Sequence, residues 1–487
     1  MMRSLLVLTA LLAVPVPGVA GQEGDGVDSA GFVGTWMGSV DIDGMEQRIH
    51  CVLTEAEGVP QFTEYSVKRG PLQFKYTYQR GDPFKSTISG NTISLTMSAA
   101  RASYSGTLSR MAGRITGTFT QHGRTFPLVL ERVDEAEVPP SRPQDPDEPF
   151  PYLAEDVTYT NPDGGHALAG TFTRPASGGP FPAVILISGS GLQDRNGTGL
   201  GHRPFLVLAD HFTRRGIAVL RYDDRGVGGS TGDSEAATSR DFASDVLAAV
   251  AYLKGRDDVD PGRIGLAGHS EGGLIAPIVA VESPDVSYIV LMAAPGVLGE
   301  TLFHAQTESI ARAGGASKEE IAQIRKMNRA LFEVVKSESD PERADEAIAR
   351  VLQASGTELR GRLEGQDSIT HPLIVEQWIT LLASNAWLRY FLTYDPAETI
   401  EQVTVPVLAI NGEKDLQVPH EENLREIEAA LKRGGNTRYE IRSFPDLNHL
   451  FQHAETGAPS EYQAIEETWS VEVMEVIADW ILRTVGG

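Results

Sequence analysis

The chain has 487 residues, which is too long for one core of ordinary size, so we expect two domains. Its composition, 41% hydrophobic and 22% charged, is typical of a globular protein in water. The 66 acidic residues outnumber the 42 basic ones and give a formal net charge of −24, which argues against nucleic acid or an anionic membrane as a partner.

Residues 1–20 have the pattern of a secretory signal peptide. Arg3 precedes an apolar run from Leu5 to Val14, and the segment ends in small residues suited to cleavage. The apolar run is too short for a membrane anchor, and no cysteine follows the cleavage point to carry a lipid. The sequence therefore predicts export, either to a periplasm or out of the cell, with no membrane anchor.

Residues 31–133 predict an all-β accessory domain. Short runs of alternating polarity are separated by turn signals, with no convincing helix among them, so a sandwich or barrel is expected. The stretch Gly34 to Gly38 resembles the start of lipocalin-like barrels, which leaves open either a ligand-holding barrel or a packed accessory domain. Cys51, the only cysteine, cannot form an internal disulfide and is expected to be a small buried residue.

Residues 134–151 contain six prolines and many acids, and predict an extended linker. From residue 152 to residue 487, apolar runs alternate with helical patterns, which indicates an α/β domain whose mostly parallel sheet is covered by helices on both faces. Residues 300–395 interrupt this alternation with helices only, and we interpret them as a cap. None of the cap aromatics is assigned to the substrate.

A candidate nucleophile lies in the stretch Gly268 to Gly272, which fits the pattern G-x-S-x-G. An apolar strand precedes it and a small-residue helix follows, as in the tight strand-to-helix turn that exposes a nucleophilic serine. A second match, Gly228 to Gly232, is followed by polar turn residues and reads as a loop. Ser270 is therefore favoured over Ser230.

A serine hydroxyl is a poor nucleophile at neutral pH and needs a histidine base that a carboxylate orients. Two predicted strands downstream, Val407 to Ile410 and Tyr439 to Phe444, are each followed by suitable residues. The candidates are the acids Glu413, Asp415 and Asp446 and the histidines His449 and His453, besides His269 in the turn itself.

The order serine, acid, histidine along the chain resembles that of the α/β-hydrolase superfamily, whose acid follows N-G-x-x-D and whose histidine follows the last strand as N-H. The resemblance covers about residues 155–482 and implies the α/β-hydrolase fold with Asp415 as the acid and His449 as the base. It further implies an oxyanion hole made by the backbone N–H groups of Glu271 and Ser190, with Gly191 as the alternative to Ser190.

This chain departs from the superfamily at one point of the oxyanion loop, where Ser188 stands in place of the usual histidine. The stretch Asp223 to Ser230 resembles the superfamily's D-x-R-G-x-G-x-S loop. The stretch Gln193 to Arg195, which follows the oxyanion loop, resembles the same position in the superfamily's exported bacterial esterases. We expect charge pairing in both stretches to hold loops in shape, without a catalytic role for Arg225 or Asp194.

These features predict an exported carboxylesterase-type serine hydrolase that acts on a small-molecule ester and needs no cofactor or metal. His449 and His453 are four residues apart, but the chain has no H-E-x-x-H motif and no third ligand beside that pair. A serine aminopeptidase or amidase with the same triad is the nearest alternative, and a ligand-carrying protein without catalysis is a more distant one. The sequence does not predict an oligomeric state.

Overall fold

A computed structural model provides the structure of the protein. It describes residues 32–42, 45–56, 59–69, 72–77, 84–97, 102–109, 113–121, 124–133, 142–234, 236–338, 340–359 and 386–486. The predicted signal peptide 1–20 and part of the predicted cap, residues 360–385, lie outside these residues.

In the residues that the structure describes, the first sheet contains nine antiparallel strands, which confirms the all-β character predicted for this region. The strands follow one another in the order β4-β3-β2-β1-β9-β8-β7-β6-β5. Trp36 and Phe119 are fully buried in its core, and Cys51 is buried with them, as the sequence predicted. The strands are β1 (Gly34–Ile42), β2 (Met45–Ala56), β3 (Val59–Arg69), β4 (Leu72–Thr77), β5 (Phe84–Ser89), β6 (Thr92–Met97), β7 (Ala102–Ser109), β8 (Arg114–Gln121) and β9 (Arg124–Arg132).

The second sheet has eight strands in the order β10-β11-β13-β12-β14-β15-β16-β17. All of them run parallel except β11, which is antiparallel to both of its neighbours. The strands are β10 (Tyr152–Asn161), β11 (His166–Pro175), β12 (Phe181–Ile187), β13 (Ala218–Tyr222), β14 (Val259–His269), β15 (Val286–Met292), β16 (Val407–Gly412) and β17 (Tyr439–Phe444). This topology is that of the α/β-hydrolase fold, as the resemblance implied.

The described helices connect these strands. They are α1 (Pro204–Arg214), α2 (Ser239–Lys254), α3 (Glu271–Glu282), α4 (Gly299–Ala313), α5 (Lys318–Ser337), α6 (Pro341–Leu359), α7 (Ala386–Thr393), α8 (Pro396–Ile400), α9 (His420–Arg433) and α10 (Val471–Gly486). Helices α4 to α7 belong to the described part of the insertion between β15 and β16, where the sequence predicts a cap.

The central strands are buried on both faces, which explains why their sequences are apolar throughout rather than alternating. Every residue of β12 and β16 is buried. Helices α2, α3 and α9 share one hydrophobic core against the sheet, and α1 and α10 share the core on the opposite face. Parallel strands with covered faces present their carboxyl ends at one edge, where loops can carry functional side chains.

The chain divides into two compact units. One contains residues 142–198 and 203–487, and strands β1 to β9 lie in the other. The change of unit therefore falls within the segment 134–151 that the sequence predicts as a linker. In the described part of the chain, no helix is long and apolar enough to cross a membrane.

Candidate active site

Ser270 occupies the turn between β14 and α3 in a strained backbone conformation. Its φ is +55° and its ψ is −117°, values that cost a residue with a side chain about 1–3 kcal/mol. The flanking glycines explain how the turn closes, because a Cβ at Gly268 would lie 2.0 Å from Gly272 O, and one at Gly272 would lie 2.3 Å from Ile187 O. The half-buried Ser270 side chain thus stands at the carboxyl edge of the sheet.

Ser230, the rival serine, is itself buried in an otherwise exposed loop and has a structural role there. Its Oγ donates to Asp223 O at 2.7 Å and accepts the Ala169 N–H at 2.9 Å. The hydroxyl already donates one hydrogen bond and accepts another, and only 7% of the residue is exposed. Ser230 is therefore placed to hold a loop.

Asp415 and His449 come from the ends of two neighbouring strands and meet in a buried pair. Asp415 follows β16 and His449 follows β17, and His449 Nδ1 lies 2.8 Å from Asp415 Oδ2. The other carboxylate oxygen, Oδ1, accepts the N–H groups of Gln417 and Val418, each at 2.8 Å. An ionised carboxylate can only accept, so Nδ1 carries the proton and Nε2 of a neutral ring is left as an acceptor.

The rival acids have other partners. Glu413 accepts a hydrogen bond from Ser443 Oγ at 2.8 Å, and Asp446 pairs with Lys414 at 2.7 Å with its side chain largely exposed. The rival histidine His453 is also exposed and bonds Glu467. The structure brings Asp415, and neither rival acid, to His449.

His269, next to the candidate nucleophile, supports the histidine loop. Burial lowers the pKa of His269 to about 3, so its ring is neutral, and Nε2–H donates to His449 O at 2.9 Å. The two imidazole rings lie 4.8 Å apart. Sequence reasoning did not predict this role for His269, because a contact between residues 180 positions apart leaves no local pattern.

The loop that follows β12 lies directly against the turn at Ser270. A Cβ at Gly189 would lie 3.1 Å from Ser270 Cβ, so only glycine allows this approach without displacement. Ser190 follows, and its side chain bonds the carboxyl group of Glu271. The two residues predicted to supply oxyanion donors are therefore neighbours in space, and the Glu271 N–H belongs to the first turn of α3, where helix N–H groups lack helical partners.

The Glu271 side chain is 3% exposed and was not assigned a role from the sequence. Its Oε1 accepts hydrogen bonds from Ser239 Oγ at 2.6 Å and from Trp387 Nε1 at 2.7 Å. Burial raises the pKa of Glu271, and the bonds from Ser239, Trp387 and Ser190 oppose that rise. Trp387 belongs to α7, so this carboxyl group joins the cap to the turn at Ser270.

Charge pairing holds the surrounding loops, as predicted from the D-x-R-G-x-G-x-S resemblance. Asp223 binds the Arg195 guanidinium at 2.7 Å, and Arg225 binds Asp245 at 2.7 Å. Asp194 accepts the N–H groups of two residues that follow it in the chain. These pairs face one another rather than Ser270, which fits a structural role.

Among the described residues, no group of three or more His, Cys, Asp or Glu side chains lies close enough together to hold an ion. The described site contains a serine, a histidine, a carboxylate and backbone N–H groups.

The chain is similar in sequence to a known family and to several known proteins. The model of the X-Pro dipeptidyl-peptidase (S15) family matches residues 142–441, more than half of the chain. Esterase EstD of Thermotoga maritima is 27% identical over 369 residues, which cover 75% of this chain and 76% of that protein. The uncharacterized protein Rv2307c of Mycobacterium tuberculosis is 35% identical over 135 residues, or 28% of this chain and 44% of the relative.

Among solved structures, the Pyrococcus furiosus esterase Pf2001 is 18% identical and has a TM-score of 0.43, covering 71% of this chain and 97% of that one.

Proposed function

The chain belongs to the X-Pro dipeptidyl-peptidase (S15) family and is a hydrolase of the α/β-hydrolase type, and from this premise we propose that it cleaves carboxylic esters through an acyl-enzyme on Ser270. Asp415 and His449 complete the proposed triad, and the N–H groups of Ser190 and Glu271 form the proposed oxyanion hole. The substrate is a small-molecule ester.

The reaction begins when Ser270 Oγ attacks the ester carbonyl carbon and His449 Nε2 takes the hydroxyl proton. The carbonyl π electrons move to oxygen, which the two N–H groups stabilise. The oxyanion then reforms the carbonyl, the C–O bond to the alcohol breaks, and His449 gives its proton to the leaving oxygen. Water attacks the acyl-enzyme by the same two steps, with His449 again as base, and releases the carboxylic acid and free Ser270.

The buried His449–Asp415 pair beside the strained turn at Ser270 is the observation that carries this proposal. Asp415 is 3% exposed and His449 is 4% exposed, so water does not compete strongly for their 2.8 Å hydrogen bond. The bond fixes the tautomer that leaves Nε2 free to accept a proton, and the negative carboxylate stabilises the imidazolium formed in each step.

The name of the family suggests dipeptidyl-peptidase activity as a second candidate function. The surroundings of Ser270 favour ester hydrolysis over this activity. A dipeptidyl-peptidase must bind a free α-ammonium group, for which it needs an ionised carboxylate with open acceptor positions. Glu271, next to Ser270, accepts hydrogen bonds from Ser239, Trp387 and Ser190, and burial raises its pKa. A buried carboxyl group that already accepts these three hydrogen bonds is a poor partner for an ammonium ion.

Turnover of a p-nitrophenyl acyl series from acetate to palmitate, with an Xaa-Pro p-nitroanilide in parallel, tests the proposal. We expect fast ester cleavage with slow anilide cleavage, and a loss of at least 10³-fold in kcat for Ser270→Ala and His449→Ala. The matched control is Ser230→Ala, which removes the serine of the other G-x-S-x-G stretch and should leave kcat within threefold.

Two results would contradict this assignment. Ester turnover that survives Ser270→Ala excludes the proposed nucleophile. Preferential anilide cleavage that is lost in the same variant keeps the triad and moves the protein to the peptidases.

We also propose that the protein is exported, on the basis of the apolar segment 1–20 and its small-residue end. Expression of the full chain in a bacterium, followed by mass measurement of the protein released from the periplasm and the medium, tests this. Export predicts a mature chain that begins near residue 21 and is missing from the cytoplasm, and an intact leader in the cytoplasm would contradict it.

A further inference from the structure

A buried carboxyl group that the proposed mechanism does not use lies beneath the oxyanion loop. Asp224 follows β13 and is 5% exposed. Its Oδ1 accepts from Ser188 Oγ at 2.8 Å, and its Oδ2 accepts from Gln193 N–H at 2.8 Å. The Asp224 N–H donates in turn to Gln193 O at 3.0 Å. Asp224 therefore holds both ends of the six-residue loop 188–193.

The loop that Asp224 closes contains the second proposed oxyanion donor. Ser190 lies between the two residues that Asp224 binds, and Gly189 lies against Ser270 Cβ. Ser188 stands where the superfamily usually has a histidine, and in this structure its hydroxyl is directed to Asp224. A shift of this loop would move the Ser190 N–H relative to the carbonyl oxygen that Ser270 attacks.

We propose that Asp224 is a positioning residue for the ester hydrolysis proposed above, closing loop 188–193 so that the Ser190 N–H meets the developing oxyanion. The inference rests on that proposed function. The hydrogen bonds of Asp224 go to Ser188 and Gln193, so it acts through the loop. An oxyanion donor lost outright costs about 10²–10³ in kcat, so a displaced donor should cost less but still act on the transition state.

The groups that face Asp224 explain why its protonation bears on this role. Glu271 on α3 and Asp245 on α2 add to the effect of burial, which raises the pKa of Asp224 to about 8. Tyr159 on β10 and Tyr222 on β13 also face it, and burial raises the pKa of both phenols so that they stay neutral. Ionisation of Asp224 above pH 8 places a negative charge beneath the loop that must bind an oxyanion.

The series Asp224→Asn, Asp224→Ala and Ser188→Ala tests the role. Asparagine keeps an acceptor for Gln193 N–H and offers an N–H to Ser188 Oγ, so it should retain most of kcat, whereas alanine frees both ends of the loop. We expect Asp224→Ala to lower kcat at pH 7 at least tenfold with KM changed less than threefold. Ser188→Ala should fall between the two Asp224 variants.

Two further measurements separate positioning from a general structural role. The affinity for phenylboronic acid, which adds to Ser270 as a tetrahedral anion, should fall in parallel with kcat/KM across the series. The wild type should lose kcat as pH rises through 8, and Asp224→Asn should not. Ser230→Ala is the matched control, because Ser230 is similarly buried in the segment after β13 but bonds Asp223 O and the Ala169 N–H instead of the loop, so its kcat at pH 7 should stay within threefold.

The outcomes distinguish this inference from the proposed function. An Asp224→Ala enzyme with wild-type kcat and boronate affinity, together with an inactive Ser270→Ala enzyme, overturns the positioning role alone. An active Ser270→Ala enzyme overturns the proposed function itself. Loss of melting temperature in Asp224→Ala without loss of kcat also overturns the positioning role.

Discussion

Asp415 and Asp224 are both buried, but their carboxyl groups have different hydrogen-bond partners. Asp415 receives two backbone N–H groups and His449 Nδ1. Asp224 receives one backbone N–H and one hydroxyl, and it lies near two other buried acids, Glu271 and Asp245. The role proposed for Asp415 requires an ionised carboxylate, whereas the surroundings of Asp224 raise its pKa and favour its protonated form at neutral pH.

The raised pKa of Asp224 predicts a measurable pH dependence of stability. Its pKa is about 8 in the folded protein and about 4 in an unfolded chain, so between these values the folded state binds the extra proton. Stability from this group is thus fully present below pH 4 and is lost as pH rises to 8, by at most about 1.4 kcal/mol per pH unit. Asp224→Asn has no such titration, so its stability relative to wild type should rise between pH 5 and pH 8 and level off above.

Urea unfolding of both proteins at five pH values from 5 to 9 gives this difference directly. The variant and the wild type share every other titrating group, so those contributions cancel. A difference in unfolding free energy that stays flat over this range contradicts the raised pKa of Asp224.

At the scale of elements, the sequence predicted what local periodicity and turn chemistry determine. The alternation of apolar runs with helices predicted the covered parallel sheet, and the strand, the G-x-S-x-G turn and the small-residue helix predicted the position of Ser270. The carboxylate partner of His449 could not be derived from spacing, because Glu413, Asp415 and Asp446 all follow strands that end at the same edge. The resemblance selected Asp415, and the structure supplies its hydrogen bond to His449.

Contacts between elements that are distant in the chain leave no pattern in the sequence, so they could not be predicted from it. Trp387 on α7 bonds Glu271 across 116 positions, and nothing in the periodicity of the cap distinguishes this aromatic residue from those that only join helices. The same holds for Asp224, which looks like one of two adjacent acids in a polar loop until the loop 188–193 is seen to close on it.

The hydrogen bond from Trp387 predicts that α7 helps to hold the turn at Ser270. Trp387→Phe keeps an aromatic ring against Phe391, 5.1 Å away between ring centres, but removes the Nε1–H donor to Glu271. Because Ser239 still bonds the same oxygen, we expect a loss of about 1 kcal/mol in unfolding free energy. The kcat/KM for p-nitrophenyl esters should fall several-fold, since Glu271 also supplies a proposed oxyanion donor.

The control is Tyr390→Phe on the same helix, where Tyr390 stacks on Tyr394 at 5.2 Å. It should leave kcat/KM unchanged. Equal kcat/KM values for the Trp387 variant and this control would refute the link between the cap and the turn.

At the scale of the whole molecule, the end of the predicted linker 134–151 is bonded to the unit that contains Ser270. Arg142 donates to Gln463 O at 2.8 Å and also to Ile465 O. The Gln144 amide donates to Trp469 O at 2.7 Å and accepts the Trp469 N–H at 3.0 Å. A composition rich in proline and acids predicts an extended chain, but it carries no information on these side-chain bonds to the backbone of a loop more than 300 residues away.

Aromatic side chains connect the loop that these bonds hold to the proposed base, His449. Trp469 stacks on Phe451 with ring centres 5.0 Å apart, and both rings pack against His269, which bonds His449 O. Arg142 and Gln144 therefore support the loop that carries His449 indirectly, through the layer of aromatic side chains that lies between them.

This support predicts where a working catalytic fragment can begin. A chain of residues 142–487 keeps the bonds of Arg142 and Gln144, whereas a chain of residues 152–487, which starts at the first strand of the sheet, loses them. At about 1 kcal/mol for each hydrogen bond, the shorter chain should melt several degrees lower. Its kcat should also fall, because the loop behind His449 loosens.

Gln144→Ala in the full-length protein isolates the effect from the truncation and should lower both the melting temperature and kcat. Calorimetry and ester turnover of the three proteins provide the measurements, and equal values for the two fragments would mean that the segment only connects the units.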